Sequence, residues 1–328
     1  MTERLPLDRH RLGRALTALA NARAGAGAGA MTEPSDGPHG WHARRIGITG
    51  APGAGKSTLC GNLALHRLRQ GRVGVLAVDP SSPKSGGAIL GDRVRMDELP
   101  GSAELFIRSI ASRSTTDGLS DNLPEMLDLM DRFRFDEVLL ETVGVGQAEY
   151  AVRQQVDTLV LVLLPESGDV VQAMKAGIME MADIFVVNKS DLQGAQKMAT
   201  DIQRIGAITP RPADAWRPPV LLASSSRAES VAALSAEIDR HQQWLARTDA
   251  AVGLLRNRAR YRLRRLLERR IAEVVRELDA DLLDAPMNVL VQQSVDALAR
   301  LSTREIDKSP SAQVCQRDGH ALFTTKET

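Results

Sequence analysis

Residues Gly50 to Ser57 read Gly-Ala-Pro-Gly-Ala-Gly-Lys-Ser and fill every fixed position of a phosphate-binding loop. Such a loop works only between a strand and a helix. Its glycines let the backbone curl until several N–H groups converge on one centre at the helix N-terminus, while Lys56 reaches β and γ oxygens and Ser57 offers a hydroxyl to Mg²⁺. The flanks suit this: Arg44 to Thr49 is a short strand-like run, and Thr58 to Gln70 reads as a helix. A chain built on this unit is committed to an α/β fold of the P-loop NTPase kind. Its nucleotide-binding set begins with Gly50, Pro52, Gly53, Ala54, Gly55, Lys56, Ser57 and Thr58.

A second motif identifies the base. Asn188-Lys189-Ser190-Asp191 follows the apolar run Ile184-Phe185-Val186-Val187, at a strand's C-terminal end, where open α/β sheets bind ligands. Asp191 can accept from the N1–H and N2–H₂ of guanine, a donor pair that adenine lacks. The Lys189 stem can lie along the base, and Asn188 can brace the loop. Alone, the tetrapeptide is an ordinary polar turn; behind a phosphate loop it points to guanine. Ser224 and Ser225, directly after the run Val220 to Ala223, complete the set.

Strand-like runs at 46–49, 73–78, 105–110, 137–140, 158–164, 184–188 and 220–223 alternate with helical stretches. This alternation predicts a mostly parallel, doubly wound sheet, and the continuously apolar central runs suit strands covered on both faces. Four regions follow. Residues 1–40 read as an N-terminal helical arm, with Leu12, Leu16 and Leu19 on one face, and an Ala/Gly linker from Ala24 to Ala30, so that the folded domain starts near Trp41. Residues 41–248 form the nucleotide-binding domain, 249–307 a C-terminal helical hairpin and 308–328 a tail. In the hairpin, Leu263, Leu267, Ile271, Val274 and Leu278 make one apolar stripe on a helix ending near Pro286. That stripe is expected to pack on a second subunit, the alternative being a helical layer folded back on its own domain.

Composition excludes several classes. With 328 residues and 43% hydrophobic content the chain can bury one large core plus an appendage, and a net charge of +1 points to no polyanionic partner. Eight arginines between Arg256 and Arg270 raise the question of nucleic acid, but Glu268, Glu273 and Glu277 share that helix with almost no interleaved aromatics, as on a solvated face. Cys60 and Cys315 form no disulfide framework or metal spacing. The longest apolar runs are of strand length, and no secretory h-region is present, so the expectation is a cytoplasmic protein without membrane or nucleic-acid partner.

Phosphoryl transfer to water needs a carboxylate at a strand end to hold Mg²⁺ and a loop that senses the γ-phosphate. Asp79 ends one run and Glu141 another; either acid can instead cap a helix. Gly144 can present its N–H to the γ-phosphate. Asp92 closes a Gly-rich segment from Ser85 as a third contact to metal or water, and Gln147 either orients water or is a polar turn residue. Lys56, Glu141 and Gln147 form the candidate catalytic set.

Val-Asp-Pro-Ser-Ser (78–82), Ser-Gly-Gly-Ala-Ile-Leu-Gly-Asp-Arg (85–93), Glu-Thr-Val-Gly-Val-Gly-Gln-Ala-Glu (141–149) and Asn-Lys-Ser-Asp together resemble the MeaB, ArgK and methylmalonic aciduria type A family over residues 41–305. The resemblance implies a P-loop GTPase that serves adenosylcobalamin-dependent acyl-CoA mutases, binds no cobalamin itself, and dimerises through C-terminal helices. It implies Mg²⁺ held through Ser57, Asp79, Asp92 and Glu141, slow GTP hydrolysis accelerated by the mutase, and a third switch over 166–178 with Asp169, Gln172 and Lys175 as polar members. Two features depart from the pattern: Ser112 to Leu119 stands where a more Gly-rich stretch is expected, and the Ala/Gly linker is unusual. Both bear on the client, which is methylmalonyl-CoA mutase or a 2-hydroxyisobutyryl- or isobutyryl-CoA mutase. The rivals are a kinase linked to amino-acid transport, a nickel-type metal-insertion GTPase, and a module in which nucleotide only sets conformation.

Overall fold

The computed structural model describes residues 4–21, 41–80, 103–112, 122–142, 147–165, 178–208, 210–212, 214–224 and 227–306. Each apolar run read from the sequence is a strand: β1 (Arg44–Gly50), β2 (Val73–Pro80), β3 (Leu105–Ser112), β4 (Glu137–Thr142), β5 (Thr158–Leu163), β6 (Ile184–Val187) and β7 (Val220–Leu222). They form one sheet in the order β3-β2-β4-β1-β5-β6-β7, with every neighbouring pair parallel. The helices among the described residues are α1 (Arg9–Asn21), α2 (Lys56–Arg67), α3 (Leu123–Arg132), α4 (Gln147–Arg153), α5 (Ala195–Ile208), α6 (Ala228–Arg247), α7 (Ala250–Arg276) and α8 (Met287–Ile306).

The sheet is covered on both faces, and the period of two decides which residue goes where. Leu76, Val78, Val138 and Leu140 pack with α1, α3 and α4, whereas Val73, Val75, Leu139, Val160 and Val186 pack with α2 and α6. A third cluster joins Leu161, Leu163, Phe185 and Val187 to α5. Strands β4, β5 and β6 are buried at every position, as expected between two helical layers.

The N-terminal region differs from the sequence expectation. Helix α1 starts behind Asp8, whose carboxylate accepts from the Arg11 N–H at 2.9 Å as an N-cap does. Its Leu12, Leu16 and Leu19 are buried in the sheet's own core beside Leu123 and Met126 of α3. Arg4 clamps Asp136 with two 2.6 Å bonds, and Asn122 donates to the Leu19 carbonyl at 2.6 Å. The folded domain therefore begins before α1 and not near Trp41, because one amphipathic face of three leucines needs an apolar partner and finds it on α3. The described residues divide into two compact units, one running to Tyr261 and the other starting at Arg262, so the division falls inside α7 and not at residue 248.

Buried ionic groups gather at the N-terminal ends of the strands. Arg67, at the end of α2, is fully buried and pairs with Glu137 of β4, with Asp239 at 2.7 Å and with the Ser235 hydroxyl at 2.8 Å. Near the starts of β5 and β6, Asp183 accepts from the Leu159 N–H at 2.8 Å and from Arg153 at 3.0 Å, while its carbonyl accepts from the Trp216 indole at 2.7 Å. Burial, above all, pushes the Asp183 carboxyl up to about 6.

In the second unit, Leu263, Leu267 and Ile271 stand exposed, as do Met287, Val291 and Val295 of α8.

Candidate nucleotide site

The phosphate loop follows β1 and is shaped by glycine where no other residue fits. At Gly50, φ is 139° and a Cβ would meet the Val162 carbonyl oxygen at 2.0 Å, so the turn out of the strand runs hard against β5. Gly53 and Gly55 take φ of 79° and 83°, the left-handed region glycine occupies without penalty. Gly55 precedes α2 without a side-chain cap, and no acid sits in the first turn. The helix's orphan N–H groups are thereby left for an anion. Lys56 opens α2, is only 4% exposed, and donates from Nζ to the Ala51 carbonyl at 2.9 Å. A buried lysine held across the loop is in place for phosphate oxygens. Ala54 is buried, and Pro52 and Thr58 are exposed.

The carboxylate comes from the neighbouring strand. Register places Glu141 of β4 beside Ile48 of β1, and Ser57 Oγ donates to Glu141 Oε1 at 2.6 Å. Close by, Thr142 Oγ1 donates to Thr49 Oγ1 at 3.2 Å. A serine hydroxyl and a carboxylate this close are two hard oxygen donors of the kind Mg²⁺ takes, so the residues present fit that ion, which Ser57 and Glu141 would hold. Asp79 lies two positions beyond Ala77, the β2 residue paired with Glu141; its backbone is thus at the same end of the sheet. Glu141 also reinforces burial in raising the Cys60 thiol, which makes that cysteine an inert core group.

The base-recognition segment meets the phosphate loop directly. Asn188 is fully buried, and its Nδ2 donates to the Ala54 carbonyl at 2.7 Å. Its Oδ1 is buried with no hydrogen-bond partner among the described residues. Lys189 sits at φ 51°, a left-handed backbone that is uncommon outside glycine and is kept at functional turns. Lys189 and Asp191 are both exposed. The Ser190 N–H donates to the Ala223 carbonyl at 2.9 Å, and the Ser224 N–H to the Ser230 hydroxyl at 3.1 Å, which ties the end of β7 to the same loop.

The residues brought together are thus Gly50, Gly53, Ala54, Gly55, Lys56, Ser57, Glu141, Asn188, Lys189, Asp191 and Ser224, all at the C-terminal edge of the sheet. Gln147 begins α4, the helix after the Glu141 strand. Gly144, Asp92, Ser225, Asp169, Gln172 and Lys175 lie outside the described residues. Sequence reasoning missed Thr49, Ala51 and Thr142. Their signal was adjacency: each flanks a motif residue on a strand end.

Residues 12–280 match the family described as methylmalonyl-CoA mutase-associated GTPase MeaB. The chain is a MeaB-family GTPase. It is 39% identical over 285 residues to a putative GTPase of Pyrococcus horikoshii, covering 83% of each chain. It is 40% identical over 191 residues to the mouse mitochondrial methylmalonic aciduria type A homolog, covering 57% of this chain and 46% of that protein. The crystal structure of an LAO/AO transport system kinase superposes with a TM-score of 0.63 at 26% identity, covering 92% of this chain and 93% of the other. In this MeaB-family GTPase the uncapped α2 N-terminus and the buried Lys56 lie at the same sheet edge as the exposed Asp191.

Proposed function

We propose that this GTPase gates adenosylcobalamin loading of an acyl-CoA mutase and protects that mutase, acting as a homodimer through its C-terminal helices. The observation that carries the nucleotide half is the Asn188–Ala54 hydrogen bond, 2.7 Å long. It ties the base-recognition loop to the phosphate loop, which supports a site in which base and phosphates are positioned together. Hydrolysis is in-line attack by water on the γ-phosphoryl, with Lys56 neutralising charge on the transferred group. Bound Mg²⁺ would supply further neutralisation, held by Ser57 and Glu141 with Asp79 and Asp92 as additional acids. Gly144 offers an N–H to the γ-phosphate, Gln147 orients the water, and Asp169, Gln172 and Lys175 belong to a segment that answers the mutase.

The client rests on names that relatives carry: the family description names methylmalonyl-CoA mutase, and the mouse relative is a methylmalonic aciduria protein. The dimer is supported by the exposed stripe Leu263, Leu267 and Ile271, apolar surface that a second copy would remove from water. Among the described residues no helix is long and apolar enough to cross a membrane, and no group of three or more His, Cys, Asp or Glu is placed to hold a metal.

The test is GTP turnover, with ATP as control, alone and with a panel of cobalamin-dependent acyl-CoA mutases. The proposal expects slow phosphate release that one mutase accelerates, and its loss in Lys56→Ala. Acceleration by none of them contradicts the chaperone role, and transfer of the γ-phosphoryl to an acceptor other than water favours the transport-kinase reading.

A further inference from the structure

Between α5 and the β6–β7 edge lies a cavity of about 600 Å³, within the range of small-molecule sites. Phe185, the second residue of β6, and Val220, the first of β7, line it, which puts it toward the N-terminal ends of the strands. Asn188 and Ser224, at the other ends, belong to the nucleotide site, so the two sites are distinct. Ile202 of α5 and Met179 complete an apolar floor.

Two cations stand on this floor. Arg211 is half-buried and held in place by donating to the Trp216 carbonyl at 3.0 Å, and Arg217 is exposed. Against them the described lining has one acid, Glu180, and Arg211 also acts on Asp183, which does not line the cavity. An apolar body with a singly charged anionic head matches this lining: guanidinium groups pair with a carboxylate through two parallel N–H···O bonds, and Glu180 opposes a doubly charged phosphate.

We propose that this cavity is a second ligand site, separate from the nucleotide, that binds an aliphatic carboxylate with its chain on Phe185, Ile202 and Val220 and its carboxylate toward Arg211 and Arg217. The nucleotide chemistry makes no use of any of these residues.

Gly206 supplies a test that spares the fold. It lines the cavity from α5, and a Cβ built on it meets nothing within 4 Å. A side chain can therefore start from Gly206 without a clash at its Cβ, so Gly206→Phe adds a bulky ring at the cavity wall, and Gly206→Ala, better suited to a helix than glycine, controls for the substitution itself. The full chain is titrated calorimetrically with octanoate, with octylammonium as the charge control, in the presence and absence of saturating GDP. The expected result is saturable one-to-one binding of octanoate, unchanged by GDP and by Gly206→Ala. Gly206→Phe abolishes it, and Arg217→Ala weakens it by about tenfold, the loss of one charge-assisted contact. Absence of saturable octanoate binding overturns the proposal, and so does equal affinity for octylammonium, displacement by GDP or indifference to Gly206→Phe. A groove that captures only a protein partner gives the first of these results.

Discussion

Lowering the pH from 7 to 5 is expected to destabilise the sheet unit by about 2 kcal/mol through His241 alone. This ring is 1% exposed, stacks on Trp244 at 20° and meets Trp216 edge-on. Its Nδ1 lies 2.9 Å from the Thr158 hydroxyl and its Nε2 3.4 Å from Asp183. Burial first, and then the Arg153 guanidinium, pull its pKa down to about 3. Below its ordinary value near 6.5 the unfolded chain takes up a proton that the folded ring refuses. The stabilisation is therefore complete above about pH 6.5 and is lost as the pH falls toward 3. At about 1.4 kcal/mol per unit, the 1.5 or so units down to pH 5 give the quoted figure. Asp183 works in the opposite sense, since its raised value means stability that fades as the pH climbs through about 6. The informative quantity is thus a difference between two chains that both keep Asp183. Urea unfolding of the wild type and of His241→Gln, whose amide can keep the 3.4 Å contact to Asp183, compares the two chains at both pH values. Tryptophan emission is a suitable readout because all three tryptophans belong to the unit ending at Tyr261. The wild type should lose about 2 kcal/mol more than the variant between pH 7 and 5. Equal losses refute the reasoning.

Arg67→Met should cost about 1–3 kcal/mol in denaturant unfolding, because the buried Glu137 carboxylate loses its guanidinium partner and keeps only Arg44, at 2.8 Å. Asn188→Ala should weaken GTP binding by about tenfold in a fluorescent-nucleotide titration, since it leaves the Ala54 carbonyl without its 2.7 Å donor and frees the base loop from the phosphate loop. Gly50→Ala should abolish nucleotide binding in the same titration, because its methyl group meets a backbone oxygen of β5 at 2.0 Å.

What the sequence made legible was contiguous. Seven apolar runs between helical stretches prescribed the parallel sheet, and both nucleotide motifs are unbroken segments whose chemistry lies in their own residues. What it hid were partners distant along the chain. Arg4 and Asp136 are 132 positions apart, so from the sequence an N-terminal helix with a leucine face beside an Ala/Gly run reads as a separate arm, whereas in the fold α3 covers that face. Asn188 and Ala54 are 134 apart and Ser57 and Glu141 are 84 apart, and nothing local distinguishes a strand-end acid that meets the loop from one that caps a helix. The cavity beside α5 had no signal at all, because it is a gap between elements, lined by ordinary apolar residues.

The claim on which the account stands is that Asp191 reads guanine. The most direct measurement is turnover of GTP, ATP and xanthosine triphosphate by the wild type and by Asp191→Asn. The carboxylate accepts two N–H groups that guanine alone presents. An asparagine amide in its place accepts from xanthine N1–H and donates to the carbonyl at C2. The wild type is expected to turn over GTP in strong preference to the other two, and the variant to transfer its preference to xanthosine triphosphate. Equal use of ATP by the wild type, or an unaltered preference for GTP in the variant, contradicts that claim.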